Sequence, residues 1–196
     1  MSVTIPRQRI ASAALRPVLF SGEQEGVLGG VDLPVPRMGD RFAIDIKTAQ
    51  LRQDDASRTL IAALTAATTD DAIISIGQPG VSAGASNGVV SGNGQGGTSL
   101  AIRGLVAGQV IPASFYFSVI HAGRRQVYMT RAAATVSSGG TVSLSIWPML
   151  RFLTVDGEMV ELVDPKIEGK LSGFDAGAAW TRNRTDPLGF SIRERQ

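Results

Sequence analysis

The chain of 196 residues holds one histidine and no cysteine, and those two counts bound its chemistry before any motif is considered. A serine triad would have to use His121 as its base. Two-histidine metal sites, thiolate zinc sites, iron–sulfur ligation, a cysteine nucleophile and a disulfide framework are all excluded. No serine stands in a Gly-x-Ser-x-Gly elbow. His121 closes an alternating segment beside a turn, where histidine is ordinarily a surface or interface residue, and the sequence identifies no partner for it. Glu23 with Glu25, Asp54 with Asp55 and Asp70 with Asp71 are carboxylate doublets. Closeness along the chain does not aim two acids at one point, so they read as helix caps and polar turns rather than as a glycosidase pair or a cation site. Gly92-Asn-Gly94-Gln-Gly-Gly97 fits the GxGxxG spacing of a dinucleotide loop, but a strand pattern follows it instead of a helix. The first acid after Gly97 is Asp156, far too late for the ribose. The segment is therefore expected to be a mobile loop. No Walker motif occurs. The expectation is a protein that is not an enzyme and uses no cofactor or metal.

The charged residues point elsewhere. Lys and Arg number 19 against 17 acids, a net charge of +2, too balanced for a general duplex binder. Only Lys47, Lys166 and Lys170 are lysines, the other basic residues being arginine, the side chain suited to bidentate pairing at interfaces. Arg37, Arg41 and Arg58 are the candidate inter-subunit contacts. Arg124 and Arg125 form a candidate exposed hairpin, and with Arg131 they flank Phe115, Tyr116, Phe117 and Tyr128. That mixture could stack single-stranded nucleic acid. Phe115, Phe117 and Val119 share one face of an alternating segment, however, which reads as core, and the signature of an RNA-recognition sheet is missing. No apolar run reaches a membrane span, and Arg16 and Pro17 interrupt the apolar stretch from Ile10 to Leu19 before it is long enough for a signal peptide. The chain is expected to fold in a cytoplasm, where the Asn183-Arg-Thr185 sequon has no meaning.

The elements that would position these groups are mostly strands. Arg41 to Lys47 alternates, with Phe42, Ile44 and Ile46 on one face. Asp54 or Asp55 then caps the single convincing helix, in which Leu60, Ile61, Leu64 and Ala67 recur at helical spacing. A short strand, Ala72 to Ile76, follows. From Gly77 to Gly97 the composition turns to Gly, Ser, Asn and Ala, a connecting loop or boundary. Strand signals then recur at 99–103, 115–121, 125–131, 135–137, 141–147, 158–163 and 167–171, with hairpins expected to close at Ala122-Gly123-Arg124, Ser137 to Gly140 and Asp156-Gly157. Short, regularly spaced strands without helices predict an antiparallel barrel or sandwich. Gly189 to Glu194 alternates again and is expected to return to the sheet formed before Gly77. The predicted architecture is mainly β with one helix: residues 1–76 with 174–196 form a first domain, and residues 77–173 form an inserted small barrel.

The order of landmarks through this region resembles the distal tail proteins of phages and gene transfer particles. Val90 to Leu100 is similar to that family's glycine-rich approach to its β-domain, and Ile111-Pro-Ala-Ser-Phe-Tyr-Phe-Ser-Val119 to its strand opened by Ala-Gly-Asp. Gly139 to Arg151 resembles the strand ending in Pro-Pro-Leu-Arg, and Asp156-Gly157 and Val163-Asp-Pro165 follow at the family's intervals. Ser114-Phe115 stands where Gly-Asp is common, and Trp147 precedes one proline instead of two. The resemblance, from about Arg41 to Phe174, implies a belt-type β-sandwich with an inserted OB-like barrel. It further implies a homo-hexameric ring at the distal end of the tail, assembled in the bacterial cytoplasm and joining the tail tube protein to the baseplate hub. The tape measure protein and tail fibres would be further neighbours; membrane and sequence-specific nucleic acid would not be partners. Residues 1–36 and the 77–97 loop are expected to be arms ordered by neighbours. The alternative is a carbohydrate-binding module of the baseplate, which needs Trp180 or Tyr116 facing solvent.

Overall fold

The computed structural model describes residues 1–24, 30–31, 33–35, 37–78 and 86–195. The amino-terminal part contains β1 (Ser2–Thr4), β2 (Ile10–Val18), the small hairpin β3 (Gly22–Gln24) and β4 (Leu33–Val35), β5 (Arg41–Thr48), β6 (Leu51–Arg52), helix α1 (Asp55–Ala66) and β7 (Asp71–Ser75). The middle holds β8 (Gly88–Val90), β9 (Gly97–Arg103), β10 (Val110–Ile111), β11 (Tyr116–His121), β12 (Arg124–Thr130), β13 (Ala134–Thr135), β14 (Thr141–Leu150) and β15 (Met159–Glu161). The chain ends with β16 (Lys166–Ser172), β17 (Trp180–Thr181), β18 (Arg184–Thr185) and β19 (Gly189–Glu194).

The protein is mainly β with one helix. Its two large assemblies are a six-stranded sheet of order β1-β7-β16-β19-β5-β2 and a closed antiparallel barrel of order β11-β12-β14-β9-β8-β15. As the alternation at its end implied, β19 comes back to pair with β5, Ile192 lying opposite Ile44. The barrel is inserted between β7 and β16, which are antiparallel neighbours in the sheet. The Ile76 amide donates to the Pro165 carbonyl at 2.9 Å and closes the neck.

Each assembly has its own core. Alternation along β14, with Val142, Leu144, Ile146, Pro148 and Leu150 buried between exposed or half-buried neighbours, fills the barrel together with Phe115, Phe117, Val119 and Tyr128. The sheet's inner face, with Phe42, Ile44, Ile46, Ile74, Ile167 and Ile192, is covered by Leu60 and Leu64 of α1 and by the outer wall of the barrel, where Val127 joins the same cluster. Phe42 meets the rings of Tyr116 and Trp147 edge-on at 5.4 and 4.9 Å. The second layer of the first domain is thus made by the helix, by the three-stranded β17-β18-β6 sheet, whose Leu51 enters this core, and by the barrel wall. Asp54 caps α1, its Oδ1 accepting from the Ser57 amide at 2.8 Å, a bond of a kind that stabilises a helix by about 1 kcal/mol.

The structure corrects four expectations. The strand at 167–171, assigned to the barrel, belongs to the open sheet as β16, so the insertion ends near Pro165 rather than at 173. Alternation alone does not say which sheet a strand joins. Residues 1–18, expected as an arm, supply β1 and β2, the two edges of the sheet; the run of alanines in β2 hid the strand pattern. The expected 77–97 loop contains β8, a barrel strand, while residues 79–85 lie outside the described residues. Asp156-Gly157 does not close a hairpin, since β14 and β15 are not hydrogen-bonded to each other. Asp156 instead accepts from the Gly92 amide at 2.7 Å and binds Arg103, clipping the glycine-rich loop to the barrel.

Candidate functional site

The long edge strand β2 is the least satisfied element among the described residues. It is nine residues of Ile-Ala-Ser-Ala-Ala-Leu-Arg-Pro-Val, bonded to β5 along one side only, and six of its nine side chains are exposed. A free strand edge offers unpaired amides and carbonyls to another chain, and nature ordinarily blunts it with charge, proline or a covering loop. Here only Arg16 and Pro17 do so, and Arg16 is held by Asp45 at 2.7 Å. Beneath the inner face of β2 runs an open groove of about 690 Å³ between Ile10, Leu15 and Ile44 on the sheet side and Tyr116 on the barrel, with Arg7 and Arg9 at its rim. Beyond β2 the chain exposes Leu19, Leu33 and Met38, at 64%, 61% and 60%, around the β3–β4 hairpin. The root of this hairpin is fastened: Asp40 accepts from the amides of Phe20 and Ser21 at 2.7 and 2.9 Å. Burial works against its charge, and these amides outweigh burial and hold its pKa below the ordinary range.

The sheet and barrel are locked together by Glu194. Its Oε2 accepts from the Phe42 amide at 2.8 Å, and its Oε1 from the Val127 amide at 2.6 Å and from Arg151 at 3.0 Å. The carboxylate therefore ties β5, β12 and the residue that follows β14 to β19. Burial pushes the Glu194 carboxyl up, against the pull of Arg151 and of the two amides. Burial likewise opposes the charge on Arg151, but Glu194 and Tyr128 outweigh it and raise the guanidinium pKa. Gly169, opposite Glu194 in β16, makes the approach feasible: a Cβ there would stand 2.0 Å from the Arg193 carbonyl oxygen.

The candidate residues fall in different places. Arg37 is exposed at the hairpin root, its amide donating to Ser21 Oγ at 3.1 Å. Arg58 is exposed on α1, 4.0 Å from Asp55. Arg41, the third candidate inter-subunit contact, is only 7% exposed: it donates to the Glu194 carbonyl at 3.0 Å and stacks over Phe20. Arg124 is exposed at the tip of the β11–β12 hairpin as expected, whereas Arg125 is turned inward. Arg125 binds Glu161 at 3.1 Å and stands 3.6 Å from Glu168. The neighbouring rings of Phe115, Phe117 and Tyr128 are buried and offer no stacking face. His121 does have a partner: its Nδ1 lies 2.5 Å from Glu158 Oε1, and its ring stacks on Phe152 at 3.8 Å. Glu158 is 37 positions away, beyond what spacing along the chain could reveal. Among the described residues no cluster of three or more metal-ligating side chains occurs. Of the carboxylate doublets, Asp54 is the helix cap, Asp70 pairs with the amino terminus at 3.2 Å, and Asp71 pairs with Arg195 at 2.5 Å. Glu25 lies outside the described residues. The glycine-rich loop is pinned rather than mobile, because Gln95 receives the Ala101 amide at 2.6 Å and donates to Ser91 at 2.9 Å.

The chain matches no protein-family model and no curated protein sequence. The tail-protein resemblance therefore stands on the order of residues quoted above, and the arrangement just described stands by itself: a closed barrel bolted to a sheet that is open at its edges.

Proposed function

We propose that the chain is a structural distal tail protein of a phage or phage-like particle, forming a homo-hexameric ring that joins the end of the tail tube to the baseplate hub. The observation that carries this reading is the nine-residue edge strand β2, with six of its side chains exposed, flanked by the exposed apolar side chains around the β3–β4 hairpin and by an open groove of mixed polar and apolar lining. A cyclic assembly uses the same two complementary patches at every junction and closes only if the rotation divides the circle. A second observation supports the family resemblance. Ser114 has a φ of 58°, the left-handed region that favours glycine, and it occupies the position where the family commonly has glycine. The protein acts by holding its neighbours and turns over no substrate. Electron microscopy of the purified chain, combined with a tag located on intact particles, tests this. Six-fold rings and a tag at the far end of the tail are expected; a chain that stays monomeric at every concentration and is missing from particles would overturn the proposal.

Trp180 favours a second reading, a carbohydrate-binding baseplate module. It is 75% exposed and stands beside Arg52, Gln53 and Arg58 around a recess of about 270 Å³, a polar-rimmed aromatic platform. Tyr116, the other candidate, is partly buried against Phe42. A glycan array gives signal under this reading, and Trp180→Ala abolishes it; an array without signal removes it.

A further inference from the structure

On the face of the sheet turned away from α1, the four basic side chains Arg41, Lys170, Arg193 and Arg195 outnumber the two carboxylates near them, Asp71 and Glu194. Lys170 of β16 lies directly opposite Arg193 of β19, a like-charge cross-strand pair of the kind that destabilises a sheet, and on its other side opposite Asp71 of β7, whose carboxylate is engaged by Arg195. Arg193 is in turn opposite Ala43 of β5, two residues from Arg41. Arg41, Lys170, Arg193 and Arg195 line one open depression of about 340 Å³. Two carboxylates come near it, and both are committed. Glu194 is held by Arg151 and two backbone amides, and Asp71 by Arg195. Among the described residues Arg41, Lys170 and Arg193 form no ion pair. Phe20 occupies one side of the cluster, 4.4 Å from the Arg41 guanidinium and 5.6 Å from that of Arg193. The ring supplies only the weak attraction of an aromatic face and leaves the charge uncompensated.

Arg41 shows the imbalance most clearly. It is 93% buried by its 7% exposure, and its Nε has no hydrogen-bond partner among the described residues. Burial, and then the like charges of Arg193 and Arg151, press its pKa below the ordinary arginine range. A buried guanidinium with an unmet donor is costly unless something accepts from it, and guanidinium forks match planar or tetrahedral oxyanions in two-point contacts.

We propose that the depression lined by Arg41, Lys170, Arg193 and Arg195 is an oxyanion-binding site, built to receive the carboxylate of an acidic peptide segment or a phosphate group. The anion sits between the Lys170 ammonium and the Arg193 guanidinium and relieves their repulsion, with the charge of Arg41 behind them adding to the attraction. The site adjoins the end of β2, where Val18 pairs with Arg41, but anion binding is read on the dissociated chain and needs no ring.

The test uses the full chain and two probes, inorganic phosphate and a glutamate decapeptide, each compared with chloride at fixed ionic strength so that screening alone does not register. A ligand that binds only the folded state raises its melting temperature with the logarithm of concentration. At least one probe is expected to do so, with a dissociation constant weakened tenfold or more by Arg193→Gln and again by Lys170→Gln. Both replaced side chains are exposed, so the fold is kept. A response to the decapeptide alone identifies an acidic segment as the natural ligand, and a response to phosphate alone identifies a phosphate. No response to either probe, or a response that both variants leave intact, overturns the proposal.

Discussion

The barrel and the sheet are made from strands of the same kind and have opposite boundary conditions. In the barrel, β15 returns to β11 and every strand has two neighbours, so no strand lies at an edge. In the sheet, β1 and β2 each have one neighbour, and both edges come from the first eighteen residues. A closed structure is finished when the chain folds, whereas an open one keeps part of its bonding for a second molecule. The contrast explains why the apolar exposure of the amino-terminal part gathers around β2 and the β3–β4 hairpin. It also leaves the relation of the two units to the links between them, Glu194 and Glu168 among the carboxylates and the apolar contact around Phe42 and Val127.

The largest expected effect comes from uncoupling the two regions. Glu194→Ala leaves Arg151 buried without its partner and two amides without an acceptor, which should cost about 3–5 kcal/mol. Chemical denaturation should then resolve two transitions, with the barrel outlasting the sheet; one unshifted transition would show that Glu194 is not the lock. Phe117→Ala, inside the barrel, should cost a similar 3–5 kcal/mol by leaving a cavity, and should leave the self-association of the sheet unaffected once the protein is refolded. The sheet edge should behave in the opposite way. Ala14→Lys on β2 should change unfolding stability by no more than about 0.5 kcal/mol while weakening self-association at least tenfold in sedimentation. An equal loss in both would mean that the edge is part of the fold and not of an interface.

Two smaller effects sharpen the comparison on the barrel side. Ser114→Gly removes a side chain from the left-handed region and should raise stability by up to about 1 kcal/mol, measured by denaturation; a loss would show that the serine side chain has a role of its own. The Arg103 guanidinium and the Gly92 amide lower the Asp156 pKa from 3.8 to about 2. A lowered carboxyl pKa contributes stability that is complete above the unfolded value and is lost as pH falls through the folded one. The barrel should therefore lose this contribution between about pH 4 and pH 2, and Asp156→Asn should flatten the pH dependence of unfolding across that window.

Much of the barrel was legible in the sequence because its strands alternate and glycines mark its turns. The strands expected at 99–103, 115–121 and 141–147 appear as β9, β11 and β14, and Phe115, Phe117 and Val119 are core as their spacing implied. The edge strand was not legible, since Ala11, Ser12, Ala13 and Ala14 give no contrast between a buried and an exposed face. Its burial is in fact low on both. The burial of Arg41 was not legible for a related reason. Phe42, Ile44 and Ile46 correctly mark one face of β5, but the other face is covered too, by Phe20 above Arg41 and by the basic neighbours Arg16 and Arg193 beside Ala43. The partners of Glu194 and His121 lie 37 to 152 positions away in sequence, and only the packing of barrel on sheet brings them together.

Hydrogen exchange along β2 across a concentration series tests the central claim most directly. At low concentration the β2 amides that do not face β5 should exchange rapidly while those of β9 and β14 are already protected. As copies associate, protection should appear on β2 and leave the barrel unchanged. If β2 exchanges at the same rate in the assembled and the dissociated protein, its edge is not the surface completed by a neighbour, and the account fails.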